Sequence, residues 1–193
     1  MSASTAIADV TNSLIKLLEN GQDPTEGTFD VSAISPAEEI NADGRPKVNL
    51  YLFRIEENPF AKNRDWQAVG SEVLHKTPLS LNLFYVLTPY GTNPLDPVPS
   101  LDDHKALGQA MRILYDNAII EPLLLSGPLQ FTAEPLKLDL CAFNLEDLTR
   151  VWNAFNKPYR LSVFYQVRIV FIDSAVERKI VRVAEKVNQH ESM

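Results

Sequence analysis

Residues 46–66 read PKVNLYLFRIEENPFAKNRDW, and the character of the sequence changes halfway along this stretch. Residues 48–55 form an almost unbroken run of apolar and aromatic side chains, the pattern of a strand that is covered on both faces. The run ends at an acidic pair and at Asn58-Pro59, where the proline can donate no ladder hydrogen bond and disfavours helical backbone at the residue before it. Residues 60–66 follow neither a helical nor a strand period. The stretch therefore predicts a buried strand that leads into an irregular docking segment rather than into a catalytic cleft.

Helical periods occur in three other parts of the chain. Apolar residues at three- and four-residue spacing predict a helix over residues 6–20, and Gly21 is placed to end it in left-handed backbone. Ser100 is predicted to cap a helix that runs to about residue 116, because two aspartates follow it in the first turn. Asn144 is predicted to cap a third helix, whose apolar stripe includes Trp152.

Strand patterns lie between these helices. They predict strands over residues 29–34, 48–55, 79–87, 136–140 and 159–172, with residues 179–187 as a last strand or a short helix. Thr88-Pro89 is expected to end the third of them. In the 159–172 strand, alternation places Ile169 on an apolar face, while Gln166 and Arg168 lie on a second face of mixed polarity that predicts partial cover or a partner.

The order of these elements predicts one α+β domain over residues 1–193. Helices and strands interleave, but the last strand runs are nearly adjacent, so strict βαβ winding is not expected. The prediction is a mixed, largely antiparallel sheet with helices packed on it, followed by an extended C-terminal arm from about residue 174.

Composition and charge argue against several classes of protein. The chain has 193 residues, 45% of them hydrophobic, and a formal net charge of −7 with no basic run, so a nucleic-acid partner is not expected. The first basic residue is Lys16, which leaves no charged signal-peptide region, and no apolar run approaches the ~18 residues that cross a bilayer. The single cysteine, Cys141, excludes an intrachain disulfide and is expected to be a buried small hydrophobe. The sequence predicts a protein kept in the cytoplasm unless a whole assembly carries it out.

The sequence contains no recognisable catalytic or metal-binding constellation. His75, His104 and His190 are scattered, and none lies at a metal-binding spacing from another histidine or from the cysteine. Glycine-rich nucleotide motifs and the G-x-S-x-G elbow are missing from the sequence. We therefore expect no enzyme activity, no cofactor, no metal and no small-molecule substrate. A hydrolase that uses Cys141 or His104 is the alternative.

Candidate interface residues fall in two places. The first is the irregular segment of residues 56–66, and the second is the mixed face of the 159–172 strand. Tryptophan is typical of interface anchors, and Arg64 could be the charged partner of Trp66. The alternative for this segment is a small cluster that pins a loop. The candidates are Asn58, Phe60, Arg64, Asp65 and Trp66 in the irregular segment, and Gln166 and Arg168 on the mixed strand face.

An ordered series of motifs carries a resemblance to a known family. The series begins with IADVTNSLIKLLENG and VSAISPAEE, continues with KVNLYLFRIEENPFAKNRDW and PLSLNLFYVLTPYG, and ends with DDHKALGQAMRILYDNAII and LEDLTRVWNAFNKPYRLSVFYQVRIVFIDS. Over about residues 6–173 this order resembles the tail-cap, or tail-terminator, family of bacterial contractile injection systems, the extracellular phage-tail-like particles. Its most specific pieces are NPFAKNRDW at residues 58–66 and Trp152 followed by PYRLS at residues 158–162.

The resemblance implies a structural role. Such proteins form a six-membered ring at the end of the particle away from the baseplate, where the ring closes the inner tube, holds the last layer of the sheath and fixes particle length. The implied fold is similar to that of phage tail terminators. The implied partners are other copies of the chain and the tube and sheath proteins, with no nucleic acid and no membrane.

A closed ring requires heterologous contacts, so each subunit needs two different contact surfaces. The segment of residues 56–66 and the mixed face of the 159–172 strand are the two candidates, and a sheath could also add a strand to an open sheet edge. The alternative function is a soluble adaptor that recruits a partner through residues 56–66.

Overall fold

The computed structural model describes residues 4–38, 40, 44–61, 65–69, 73–91, 101–131 and 135–179. The helices are α1 (Ala6–Asn20), α2 (Leu101–Asp116) and α3 (Leu145–Ala154), with 3-10 turns at Pro122–Leu124 and Gly127–Phe131. The strands are β1 (Asp30–Ser32), β2 (Lys47–Glu57), β3 (Gln67–Val69), β4 (Val73–His75), β5 (Leu79–Tyr90), β6 (Ile119–Ile120), β7 (Leu136–Cys141), β8 (Val163–Ile172) and β9 (Glu177–Lys179). No helix in these ranges is long and apolar enough to cross a membrane.

Six of the strands form the main sheet, in the order β1-β2-β5-β8-β7-β6. β1 runs parallel to β2, and the other described strand pairs are antiparallel. The predicted class, an α+β fold with a mixed, largely antiparallel sheet, is confirmed. A small second sheet, β3-β4-β9, continues beyond the end of the β5–β8 pair, since Leu79 lies opposite Ile172 and His75 lies opposite Glu177.

The main core lies between one face of the large sheet and helices α1 and α2. Alternate residues of the central strands point into it, as the strand period requires. Its largest fully buried side chains are Leu14, Leu18, Leu50, Leu83, Tyr85, Leu87, Leu114, Ile120 and Leu125. Thr11 of α1 and Tyr85 of β5 share a hydrogen bond of 2.9 Å between their hydroxyl oxygens, which ties the helix to the centre of the sheet.

Helix α3 packs against the other face of the sheet through aromatic side chains. Its predicted cap is confirmed, because the Asp147 N–H donates to Asn144 Oδ1 at 2.9 Å. Trp152 is fully buried and donates from Nε1 to Ser162 Oγ at 3.1 Å, as expected of a core residue. Phe155, at the end of the helix, makes edge-to-face ring contacts with Trp152 and with Tyr51 of β2. The aromatic cluster therefore anchors α3 near one end of this face.

The expected left-handed backbone at Gly21 is wrong. Gly21 has φ −86°, within the range that any residue adopts. A Cβ atom at Gly21 would lie 2.8 Å from Cγ2 of Ile113 on α2. Glycine is needed at this position because α1 and α2 approach each other closely.

Strand β5 continues past Thr88-Pro89, where the sequence predicted its end. Pro89 pairs with Val48 of β2, and β8 reaches only as far as Val163, opposite Leu87. At the level of Pro89, β5 therefore has β2 on one side and no β8 residue on the other. A proline that lacks an N–H is tolerated in such an edge position.

Strand β8 departs from the predicted alternation at Ile169. It begins at Val163 rather than at residue 159, and Ile169 has φ 65°, which is rare for a β-branched residue. Arg168 and Ile169 together oppose the single residue Asn82 of β5, which is a β-bulge. The bulge exchanges the two faces beyond it, so Val170 joins the main core instead of the mixed face.

Four smaller predictions also need correction or lie outside the described residues. The strand predicted over residues 29–34 is limited to β1, Asp30–Ser32. The predicted last element begins earlier, as β9, and residues 180–187 lie outside the described ranges, as does the predicted cap Ser100. Cys141 is half-buried rather than fully buried.

Candidate assembly surfaces

The end of β2 holds Phe60 in a fixed turn. The Asn58 side chain is only 7% exposed, and its Oδ1 atom accepts a hydrogen bond of 2.9 Å from the Phe60 N–H. The Asn58 N–H donates to Ser80 O at 2.8 Å, and the Ala61 N–H donates to Asn58 O at 3.2 Å. Pro59 fixes φ between the two, so the turn has little freedom. Phe60 is 93% exposed on this turn, the largest exposed fraction among the described apolar side chains.

Asp65 and Trp66 lie beside the small sheet rather than on the Phe60 turn. The Arg178 guanidinium carbon lies 4.9 Å from the centroid of the Trp66 ring, within cation–π range. Thr77 Oγ1 donates to the Asp65 carbonyl oxygen at 2.9 Å. Trp66 is half-buried in this arrangement, which resembles the loop-pinning alternative more than a free anchor. Arg64 lies outside the described residues.

The mixed face of the sheet carries Gln166 and Arg168 together with residues of three other strands. Arg54, Phe84, Gln166 and Asp139 are aligned across β2, β5, β8 and β7. The Arg54 guanidinium carbon lies 5.4 Å from the centroid of the Phe84 ring. Arg168 Nε donates to Asp139 Oδ2 at 2.6 Å. The predicted residues Gln166 and Arg168 thus belong to a band of charged, polar and aromatic side chains. The strand pattern of β8 alone could not identify the members of this band on β2, β5 and β7.

Two observations concern reactive groups among the described residues. Burial, with a smaller effect of the Asp139 carboxylate, raises the pKa of the Cys141 thiol, so the group is not an activated thiolate. Within the described ranges, no group of three or more histidine, cysteine, aspartate or glutamate side chains could hold a metal ion.

Comparison with known proteins identifies the family. Residues 9–186 match the model of the Pvc16 N-terminal domain. The chain belongs to the Pvc16 N-terminal domain family. The resemblance to tail terminators of contractile injection systems, stated from the motifs, is thereby confirmed. Among curated proteins, no relative matches the sequence significantly.

Two solved structures share the fold of this Pvc16 N-terminal domain. One is the cryo-EM structure of the sheath/tube terminator of an extracellular contractile injection system, PVC, in the extended state, with a TM-score of 0.64 and 16% identity. The other is the cap of the anti-feeding prophage, its tube-terminating cap, with a TM-score of 0.64 and 18% identity. The matches cover 100% and 95% of this chain but only 66% and 61% of those chains.

Proposed function

We propose that this chain is a structural cap of a contractile injection system, which closes the inner tube and holds the last layer of the sheath. The proposal is carried by the family match over residues 9–186. It is supported by a fold that at least 95% of the chain shares with a sheath/tube terminator and with a tube-terminating cap. Those two proteins are longer than the chain described here, so the shared fold supports the capping role and not the whole of their activity.

In this proposal the chain acts without catalysis, as a ring of six copies that assembles in the bacterial cytoplasm before the particle is complete. A ring requires two unlike contact surfaces on each subunit. The exposed Phe60 turn and the mixed face at Gln166 and Arg168 are two surfaces that are available for contacts with other copies or with the tube and sheath. The raised pKa of the Cys141 thiol weighs against the cysteine-hydrolase alternative.

The test is the removal of the gene for this chain from the bacterium that makes the particle. Particle lengths are then measured by electron microscopy, with the wild-type gene on a plasmid as the control. We expect particles to be absent or to vary widely in length without the chain, and the plasmid to restore one length. Particles of normal length and integrity in the deletion strain would refute the capping role.

The adaptor alternative predicts a different result from a single substitution. If residues 56–66 only recruit a partner, Trp66→Ala abolishes recruitment and leaves particle length unchanged. A loss of length control in a folded Trp66→Ala variant argues against the adaptor.

A further inference from the structure

The Phe60 turn presents an aromatic ring in a geometry that is fixed before any partner binds. The turn is held by the buried Asn58 side chain and by Pro59, while the ring itself is 93% exposed. An anchor that is ordered in the free subunit loses little conformational entropy on binding. Phe60 is therefore suited to insert into a pocket the size of one aromatic ring.

Such a pocket lies at the start of β2. It has a volume of about 180 Å³, and its lining includes Glu26, Thr28, Phe29, Pro46, Asp102 and Ala106. A cavity of about 150 Å³ in another protein is large enough to bind benzene, whereas drug-sized ligands need roughly 300–1,000 Å³. The size of the pocket thus fits a phenyl ring and not a nucleotide or a larger cofactor.

Two carboxylates that line the pocket are paired with cations of the same subunit. Glu26 accepts a hydrogen bond from Arg112 Nη1 at 2.9 Å, and Asp102 accepts one from Lys105 Nζ at 3.1 Å. The lining also includes the buried side chains of Phe29 and Ala106. An apolar side chain can therefore enter without leaving a rim carboxylate unpaired.

The ring and the pocket lie at opposite ends of β2. Pro46 of the pocket precedes the strand, Phe60 follows it, and the strand is 11 residues long. At the rise of a β-strand the two are on the order of 35 Å apart, so Phe60 cannot enter the pocket of its own subunit. Since both partners of the contact are present on every copy, a second copy can supply the ring.

We propose that Phe60 of one copy inserts into the pocket between residues 26–29, Pro46 and α2 of a neighbouring copy. This inference rests on the proposed function, because it names one contact that joins the capping subunits. Two different surfaces meet in it, so the contact is heterologous and can repeat from subunit to subunit until a ring closes. The loss of one buried phenyl ring is expected to weaken each contact roughly 10- to 100-fold.

Disulfide trapping tests the contact while Phe60 stays in place. In a Cys141→Ser background, Ala61→Cys is combined with Thr28→Cys at the pocket rim, and the control combines Ala61→Cys with Gln130→Cys, which lies away from the pocket. Oxidised particles that carry each pair are then compared on denaturing gels without reductant. We expect a ladder of linked subunits from the first pair alone. Normal particles without a ladder, or a ladder from the control pair, overturn the proposal.

Side-chain substitutions provide the second test. Phe60→Ser removes the ring, and Thr28→Trp fills the pocket from an exposed position. We expect each substitution to abolish particles of normal length. Each variant should keep the melting temperature of the wild type. The controls are Phe131→Ser, which removes an aromatic ring that is 83% exposed elsewhere, and Gln130→Trp. If either Phe60→Ser or Thr28→Trp supports normal particles, the contact is refuted. That outcome leaves the capping role intact, because only the deletion strain tests it.

Discussion

The Asn58→Ala substitution tests whether the turn after β2 is a fixed structural element. It removes the Oδ1 acceptor of the 2.9 Å hydrogen bond from Phe60 N–H, and with it the 3.5 Å contact from Asn58 Nδ2 to Asn82 Oδ1. The first bond contributes about 1 kcal/mol, and leaving its partly buried donor unpaired adds up to about another 1 kcal/mol. The second contact is at the limit of hydrogen-bond length and adds little. We expect a loss of about 2 kcal/mol in the free energy of unfolding.

For a chain of this length that loss lowers the melting temperature by about 4–8 °C. Differential scanning calorimetry measures it directly, and urea unfolding gives the free energy independently. The matched control is Asn58→Asp, which keeps an acceptor oxygen for the Phe60 N–H and suits the same turn. We expect Asn58→Asp to lose clearly less stability than Asn58→Ala. A melting temperature within 1 °C of the wild type for Asn58→Ala, or equal losses for both variants, refutes the reasoning.

Three further predictions concern packing, pH and surface charge. Gly21→Ala should destabilise the chain by about 1–3 kcal/mol in urea unfolding, because the new Cβ atom would lie 2.8 Å from a side chain of α2. The control, Gly108→Ala, should stabilise α2 by about 0.5–1 kcal/mol, because its Cβ atom would have nothing within 4 Å. Equal effects of the two substitutions would contradict the close approach of the helices. Burial raises the pKa of Tyr85 above the value of about 10 in an unfolded chain, so the unfolded state loses its proton first and stability falls by about 1.4 kcal/mol per pH unit as the pH rises above 10. Tyr85→Phe should make that alkaline slope shallower, and an unchanged slope counts against the burial of a neutral phenol. Arg168→Ala should lower the free energy of unfolding by less than about 1 kcal/mol, since both side chains of its ion pair with Asp139 are nearly half exposed. The same substitution should impair particle assembly if the mixed face is a contact surface. Normal particles from this variant would remove the mixed face from the candidate contact surfaces.

The elements that the sequence predicted well are those set by local chemistry. Helix α1 begins and ends at the predicted residues, because its apolar spacing extends over several turns without interruption. Asn144 caps α3 as predicted, because the donor it serves lies only three residues away. Trp152 is buried as its position on the helical stripe indicates. In each case the information lies within one or two turns of the residue concerned.

The missed features depend on partners that are distant in sequence. The chemistry of Pro89 alone predicts the end of a strand. Strand β5 continues through Pro89 because β8 ends before that position, so no neighbouring β8 residue needs a hydrogen bond from Pro89. The left-handed backbone at Ile169 contradicts its side-chain preference, and only the pairing with β5 imposes the bulge. Likewise, the cation beside Trp66 is Arg178, more than one hundred residues away, whereas the sequence pointed to the nearby Arg64.

If Phe60 joins neighbouring copies as proposed, the strength of this single contact bears on when the subunits associate. One phenyl ring contributes only about 1.5–3 kcal/mol, which is too little to hold two free subunits together against the cost of joining them. On the end of a tube, however, each copy would be held near its neighbours, and the same weak contact would then act at a high effective concentration. We therefore expect a ring built from such contacts to form where the template exists and not in free solution. The weakness of the single contact is therefore what a terminator needs, since subunits that joined tightly in solution would close rings with no tube inside them.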